Sequence, residues 1–256
     1  MTLPNHAEKY GSPAVFDPED ALVAQGEGVP EVPPAMILGY QPELHEAVRE
    51  RATGPQTLVR SQEWYELDDE VGYVPVSEFG IGAPVTAIIA ENCIAAGAKT
   101  VVLVGGSACL QPDVPPDAAV LPTETIRDEG VSHHYVPSPQ PLSPTASLVE
   151  QLDSSLVDAG FDTVRGETWT TSAMYRETET EVEQYRDEGV VTLCMETAAL
   201  WAVCEYRGVD TATVHEVGDY LAPDEWTPTS GGERGLSEML SPVVDGLTDY
   251  TADKGT

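Results

Sequence analysis

Glu196 and Asp219 stand at the ends of apolar runs, where a carboxylate has few local reasons to be. Glu196 lies between the run Val190 to Cys194 and a nearly all-apolar stretch that ends at Tyr206, while Asp219 follows the run Thr211 to Val217. Strand ends are where α/β folds collect their ligands. Two carboxylates at two strand ends make a pocket hypothesis and nothing more specific. The plainer role for Glu196 is electrostatic support of a helix N-terminus. Ser107 follows Gly105-Gly106 at a third apolar run, but Cys109 stands where a hydrolase elbow of the form G-x-S-x-G needs glycine. The segment Phe79-Gly80-Ile81-Gly82-Ala83-Pro84-Val85 turns a strand into a helix whose N–H groups can face an anion. Val85 fills the third glycine position of G-x-G-x-x-G, and no acid ends a strand ~20 residues on, which speaks against a dinucleotide. His133 and His134 are adjacent and cannot face one site together on a strand, so at least one is structural or belongs to an interface. Cys93, Cys109, Cys194 and Cys204 are far apart, with no C-x-x-C and no histidine at zinc spacing, so no metal site is expected.

The elements that must position these residues alternate between strand and helix. Ala35 to Leu38 reads as a short buried strand, Pro42 to Arg51 as a helix, and Gly72 to Val76 as an extended stretch that Pro75 marks as an edge or an irregular strand. In residues 85–98 the spacing of Val85, Ile88, Ile89, Cys93 and Ala96 predicts one apolar helix face. Thr100 to Val104 is a continuous apolar run, the mark of a strand buried on both faces. A short strand at Ala119 to Leu121 sits between Pro-rich connections. Beyond it come a helix with Leu148, Leu152 and Leu156 at spacing four, a strand from Val164 to Thr171, and a polar helix from Glu177 to Asp187. The strand Val190 to Cys194, the buried helix from Glu196 to Tyr206 and the strand Thr211 to Val217 follow. A C-terminal helix places Leu236, Met239, Leu240, Val243 and Leu247 on one face, with Pro242 expected to kink or restart it. The pattern is that of a single α/β domain over residues 1–256, a mixed and mainly parallel sheet flanked by helices. Residues 1–34 form an acidic, proline-rich, loop-like N-terminal segment.

Charge narrows the partners. The chain has 256 residues and carries 44 Asp+Glu against 12 Lys+Arg, a formal charge of −32. No basic run exists that would neutralise a nucleic-acid backbone, and an anionic membrane surface would repel the chain. No run approaches the ~20 apolar residues of a membrane span, and no signal peptide is visible at Met1 to His6. Acids spread from Glu8 to Asp253, with only three lysines among the basic residues, read as adaptation of a cytoplasmic protein to concentrated salt. Salt shortens the screening length and relieves self-repulsion of this size.

Five segments occur in the order and at the spacing found in the nucleoside phosphorylase family. They are Gly80 to Thr86 (GIGAPVT), Val102 to Ser107 (VLVGGS), Arg127 to Gly130 (RDEG), Met195 to Ala199 (METAA) and Val217 to Tyr220 (VGDY). The chain resembles that family from about residue 35 to 245, and the stretches RDEGVSHHY and WTTSAMYRET are similar to a branch carrying RDEG and WTTDAFYRET signatures. The resemblance implies cleavage of an N-glycosidic bond by phosphate, giving free base and pentose 1-phosphate. It implies no cofactor, a homo-oligomer built on dimers (a hexamer is one form), and nucleoside and phosphate as the only small-molecule partners. Carried over by position, Met195 and Glu196 lie under the ribose, with Glu196 gripping its 2′- and 3′-hydroxyls. Asp219 matches the proton donor to the base, Met174 and Tyr175 lie against the base, and Gly39 and Ser107 lie near phosphate.

The departures are as specific as the matches. The first phosphate loop reads Gly39-Tyr40-Gln41-Pro42, followed by Glu43 and Leu44 where an arginine is usual; Leu103 and Gly106 replace an arginine and a threonine. A phosphate site must then draw on Arg176 or Arg127, or on Arg60 of a neighbouring subunit; without one, water attacks and the protein is a nucleosidase. A third reading is a nucleoside-binding member that has lost catalysis.

Overall fold

The computed structural model describes residues 3–4, 6–24, 29–58, 62–229 and 235–254. The chain runs α1 (Pro18–Val23), β1 (Ala35–Gly39), α2 (Pro42–Arg51), β2 (Gln56–Thr57), β3 (Glu63–Glu66), β4 (Val71–Pro75) and α3 (Ala83–Ala95). It continues through β5 (Thr100–Cys109), β6 (Ala119–Asp128), α4 (Ala146–Asp158), β7 (Thr163–Thr171) and α5 (Glu179–Asp187). The last elements are β8 (Thr192–Cys194), α6 (Thr197–Arg207), β9 (Asp210–Ala222), β10 (Glu225–Pro228) and α7 (Leu236–Lys254).

The strands form one ten-stranded mixed sheet in the order β10-β9-β6-β7-β8-β5-β1-β4-β3-β2. Its long ladders are parallel, from Thr100↔Asp210 to Cys109↔Tyr220 between β5 and β9 and from Ala119↔Thr163 to Asp128↔Thr171 between β6 and β7. The antiparallel pairings, such as β5–β8 and β6–β9, are short. Because β5 pairs with both β8 and β9, and β9 pairs with β6, the strands β5, β8, β7, β6 and β9 close into a ring.

Alternation along the central strands fills two cores. Met36, Leu38, Val101 and Leu103 face one layer with Ile89 and Cys93 of α3 and Trp201 and Cys204 of α6. Ile37, Val102 and Val104 face the other with Leu44 of α2, Leu148 and Leu152 of α4, and Leu240 and Val243 of α7. This gives a single α/β domain of three layers. All four cysteines are buried free thiols. No helix among the described residues is long and apolar enough to cross a membrane.

Several expectations need correction. The N-terminal segment holds α1, which Asp17 starts with a capping box: its side chain accepts from the Asp20 N–H while Asp20 accepts from Asp17. β4 is an interior strand between β1 and β3, because Pro75 falls at its last residue, where pairing stops. Ile88 of α3 is 59% exposed, and the buried stripe runs instead through Thr86, Ile89, Ala90 and Cys93. α7 passes through Pro242 without a break; the proline is itself buried, on the face that Met239, Val243 and Leu247 press into the core. Tertiary packing there outweighs a missing helix hydrogen bond. β6 extends seven residues past Leu121, to Asp128, across an irregularity at Pro122/Glu124 that lets a proline sit inside a paired strand.

Candidate active site

Glu196 is built into place from two directions. Its backbone occupies the N-cap position of α6, yet its side chain does not cap that helix. The carboxylate instead accepts the Gly82 N–H at 2.8 Å on one oxygen and the Met195 N–H at 2.9 Å on the other. Gly82 is the N-cap of α3 and sits at φ +89°, a conformation that glycine adopts without strain. Glu196 therefore clasps the starts of two helices, whose positive ends both favour an anion. Each carboxylate oxygen keeps a further lone pair directed elsewhere.

The residue is 9% exposed, and burial, with the Cys194 sulfur beside it, pushes its carboxyl up to about 7 against the lowering effect of the two N–H donors. His215 lies fully buried nearby, between Thr192 Oγ1 at 3.3 Å and Thr197 Oγ1 at 3.4 Å. Burial lowers its imidazole to about 4, so it is neutral near pH 7 and gives Glu196 no counter-charge.

Glu196 opens onto a cleft of about 730 Å³ at the ends of the ring strands. Tyr40, Gln41, Ile81, Gly106, Ser107, Met195 and Glu196 line it together with Met174, Tyr175 and a group around Asp219, which takes the Trp226 N–H and whose charge acts on Glu177. Asp219 is half-buried on β9, and Trp226 on β10 donates its Nε1–H to Asp219 Oδ2 at 2.5 Å. Met174 and the exposed Tyr175 ride on a single 3-10 turn, Met174–Arg176, that follows β7. Ser107 sits where the β5–β9 register shifts, and its hydroxyl donates to the Glu216 carbonyl at 3.1 Å.

The cleft thus gathers Glu196, Met195, Asp219, Met174, Tyr175 and Ser107 from the sequence candidates. It does not gather the rest. Gly39 is buried beside it, pressed against Tyr73: a Cβ there would lie 1.9 Å from the phenol oxygen. That phenol is in turn held by His45 Nδ1 at 2.5 Å, and His45 Nε2 meets Ser77 Oγ at 2.7 Å. Arg127 is turned away, donating to Val136 O at 2.6 Å, Gln140 O at 2.8 Å and Ser132 Oγ at 3.0 Å. Arg176 is exposed and is not part of the lining, although Tyr175 and Glu177 on either side of it are. Arg60 lies outside the described residues. No Lys, Arg or His is among the described residues that line the cleft. His133 is not among the lining residues; its Nε2 meets the Arg127 carbonyl at 3.3 Å, and its own carbonyl accepts the Tyr10 hydroxyl at 2.6 Å.

Trp226, Glu177 and Gln41 are among the lining residues that escaped sequence reasoning as site residues. Trp226 belongs to β10, a short exposed strand in the stretch between Val217 and the C-terminal helix, to which the sequence assigns no element. Glu177 looked like the first residue of a polar helix; it in fact precedes the Thr178 cap of α5. Gln41 shows only as a departure in the first loop. Its amide lies across Gly105 and Gly106, and a Cβ on Gly106 would stand 2.6 Å from Gln41 Nε2. Glycine at 106 makes room for this glutamine, so the two departures are one change. Gln41 Oε1 is buried without a hydrogen-bond partner among the described residues.

The profile of the Phosphorylase superfamily matches residues 19–235. Uridine phosphorylase from Haemophilus influenzae is 23% identical over 225 residues, covering 80% of this chain and 89% of that protein. A DeoD-type purine nucleoside phosphorylase from Bacillus cereus is 26% identical over 175 residues, covering 67% of this chain and 74% of its own length. Uridine phosphorylase from Treponema pallidum is 32% identical over 125 residues, 48% of each chain. The chain belongs to the phosphorylase superfamily.

Proposed function

We propose, starting from that membership, that the protein cleaves the N-glycosidic bond of a nucleoside with phosphate, releasing free base and pentose 1-phosphate. The reading rests chiefly on one observation: Glu196 and the Asp219 end of the cleft face a common space, one with two free acceptor positions, the other with a carboxyl beside aromatic walls. Glu196 would accept the 2′- and 3′-hydroxyls of the pentose, fixing the ring while C1′ takes on oxocarbenium character. Met195 would lie under the sugar and Met174 and Tyr175 against the base. A carboxyl at the Asp219 end would supply the proton that the leaving base needs. Ser107 and Gln41 would line the nucleophile's approach. Arg176 is the proposed phosphate cation, because it stands between two lining residues and is exposed; Arg127, spent on fixed oxygens, is not. Holding phosphate would then need the Arg176 side chain to turn inward, or an arginine from a second copy in a homo-oligomer.

Hydrolysis is the second reading, and two observations favour it. The lining carries no cation among the described residues, and Gln41 Oε1 is an unfilled acceptor. Water brings two O–H donors to that oxygen, whereas the hydrogen phosphate dianion brings one. Base release from a panel of purine and pyrimidine nucleosides, with and without phosphate in molar salt, tests both. Phosphate-dependent release with pentose 1-phosphate as product supports phosphorolysis, and equal release without phosphate supports hydrolysis. No release under any condition would refute both and favour a binding protein.

A further inference from the structure

The base end of the cleft holds two carboxyl groups in unlike settings. Asp219 on β9 accepts the Trp226 N–H at Oδ2, which fixes its orientation. Glu177 is half-buried just after the Met174–Arg176 turn, and its side chain has no hydrogen-bond partner among the described residues. A lining carboxyl without a partner is free to point its O–H at a ligand. We propose that Glu177 donates the proton that the departing base takes up, with Asp219 as its fixed anionic neighbour.

This rests on the nucleoside-cleaving function proposed above and changes the source of its proton. The C1′–N bond breaks with its electron pair going to the base, as the nucleophile's oxygen bonds to C1′. The Glu177 O–H bond breaks as the base N–H bond forms, and the resulting carboxylate takes a proton back from water. The groups acting on Glu177 are consistent with that role. Burial raises its carboxyl to about 7, helped by the charges of Asp219 on β9 and Glu181 on α5. A carboxyl that still holds its proton in part near neutral pH is the group that can act as the acid there.

The test compares the parent, Glu177→Gln and Asp219→Asn on a nucleoside and on 4-nitrophenyl riboside, whose leaving group needs no proton. Parent cleavage of the nucleoside should fall about tenfold per pH unit above about 7, the range of the Glu177 carboxyl. Glu177→Gln should lose at least ~100-fold on the nucleoside and lose the descending limb, keeping only the rise with pH that ionisation of Glu196 gives, yet cleave the nitrophenyl substrate within about threefold of the parent. Asp219→Asn should keep the descending limb but move it to lower pH, because the neighbouring charge is gone. The proposal is overturned if Glu177→Gln keeps the nucleoside rate, if it loses both substrates equally, or if Asp219→Asn alone abolishes the limb. A parent that cleaves only the nitrophenyl substrate overturns it too while leaving pentosyl transfer standing; a parent that cleaves neither overturns both.

Discussion

Glu196→Gln perturbs stability and activity in ways that can be separated by pH. In the parent, the Glu196 carboxyl lies at about 7 in the fold against an ordinary value of 4.5. Between those values the native protein holds a proton that the unfolded chain has already released, so stability falls as pH rises through the window. For a shift of this size the loss between pH 5 and pH 8 is about 2.5 kcal/mol. Glutamine carries no charge and removes this loss. It also turns an NH₂ group toward either the Gly82 or the Met195 N–H, a buried donor facing a donor, at a cost of about 1–3 kcal/mol at every pH. The variant should therefore be less stable than the parent at pH 5 and close to it at pH 8. With about 2–4 °C per kcal/mol for a chain of this size, the gap in Tm should shift by about 5–10 °C in the variant's favour. Parallel thermal melts of both proteins in molar salt measure it, since other titrating groups cancel in the difference. His215, near 4 in the parent and lowered further without the Glu196 charge, is neutral in both folded proteins from pH 5 up, so its contribution cancels in the difference. A gap that is equal at both pH values within about 1 °C would refute the reasoning. Activity should follow a separate course: losing one charge-assisted contact to a ribose hydroxyl costs about 1.5–3 kcal/mol, or 10–150-fold in kcat/KM.

Other outcomes follow from the same structure. Lowering salt from molar to about 0.1 M should unfold or dissociate a chain of charge −32, and an unchanged Tm would refute the salt-adapted reading. Gly39→Ala should cost about 2–3 kcal/mol in a denaturant titration, because the new methyl meets the Tyr73 phenol that His45 pins in place; a smaller loss would mean that the ring can retreat. Arg176→Ala should raise the phosphate KM at least tenfold, about 1.4 kcal/mol, and an unchanged KM would remove Arg176 from the phosphate site.

What was legible in the sequence was what periodicity records. Ala35 to Leu38, Thr100 to Val104 and Leu148/Leu152/Leu156 each announce their burial, and the strand-end carboxylates Glu196 and Asp219 were visible as such. What stayed hidden depends on partners far along the chain. The polar half of β6, from Thr123 to Asp128, is a strand because β7 pairs with it, and its own composition gives no sign. Ile88 counted as a core residue on spacing, but the nearest apolar layer meets the other side of α3. Glu177 and Trp226 sit in segments that read as helix and loop, and only the approach of the β7 turn and the β9–β10 hairpin brings them to Asp219. Arg127 looked like a free guanidinium because sequence does not show which carbonyls a loop will offer it.

The closed ring of strands has a consequence for how the molecule comes into being. Ser107 meets the Glu216 carbonyl across 109 residues of chain, and Thr211 meets Val101 across 110. Contacts at such separation form slowly, since the entropy of closing the intervening loop is lost before the ladder compensates for it. Until β9 docks beside β5, Asp219 has no neighbours from the first half of the chain and the cleft has no far wall. During synthesis the first two hundred residues emerge without β9, so binding competence arrives late and all together. A nascent or truncated chain that ends before β9 would carry most of the core residues and Glu196, but neither Asp219 nor Trp226 to complete the cleft.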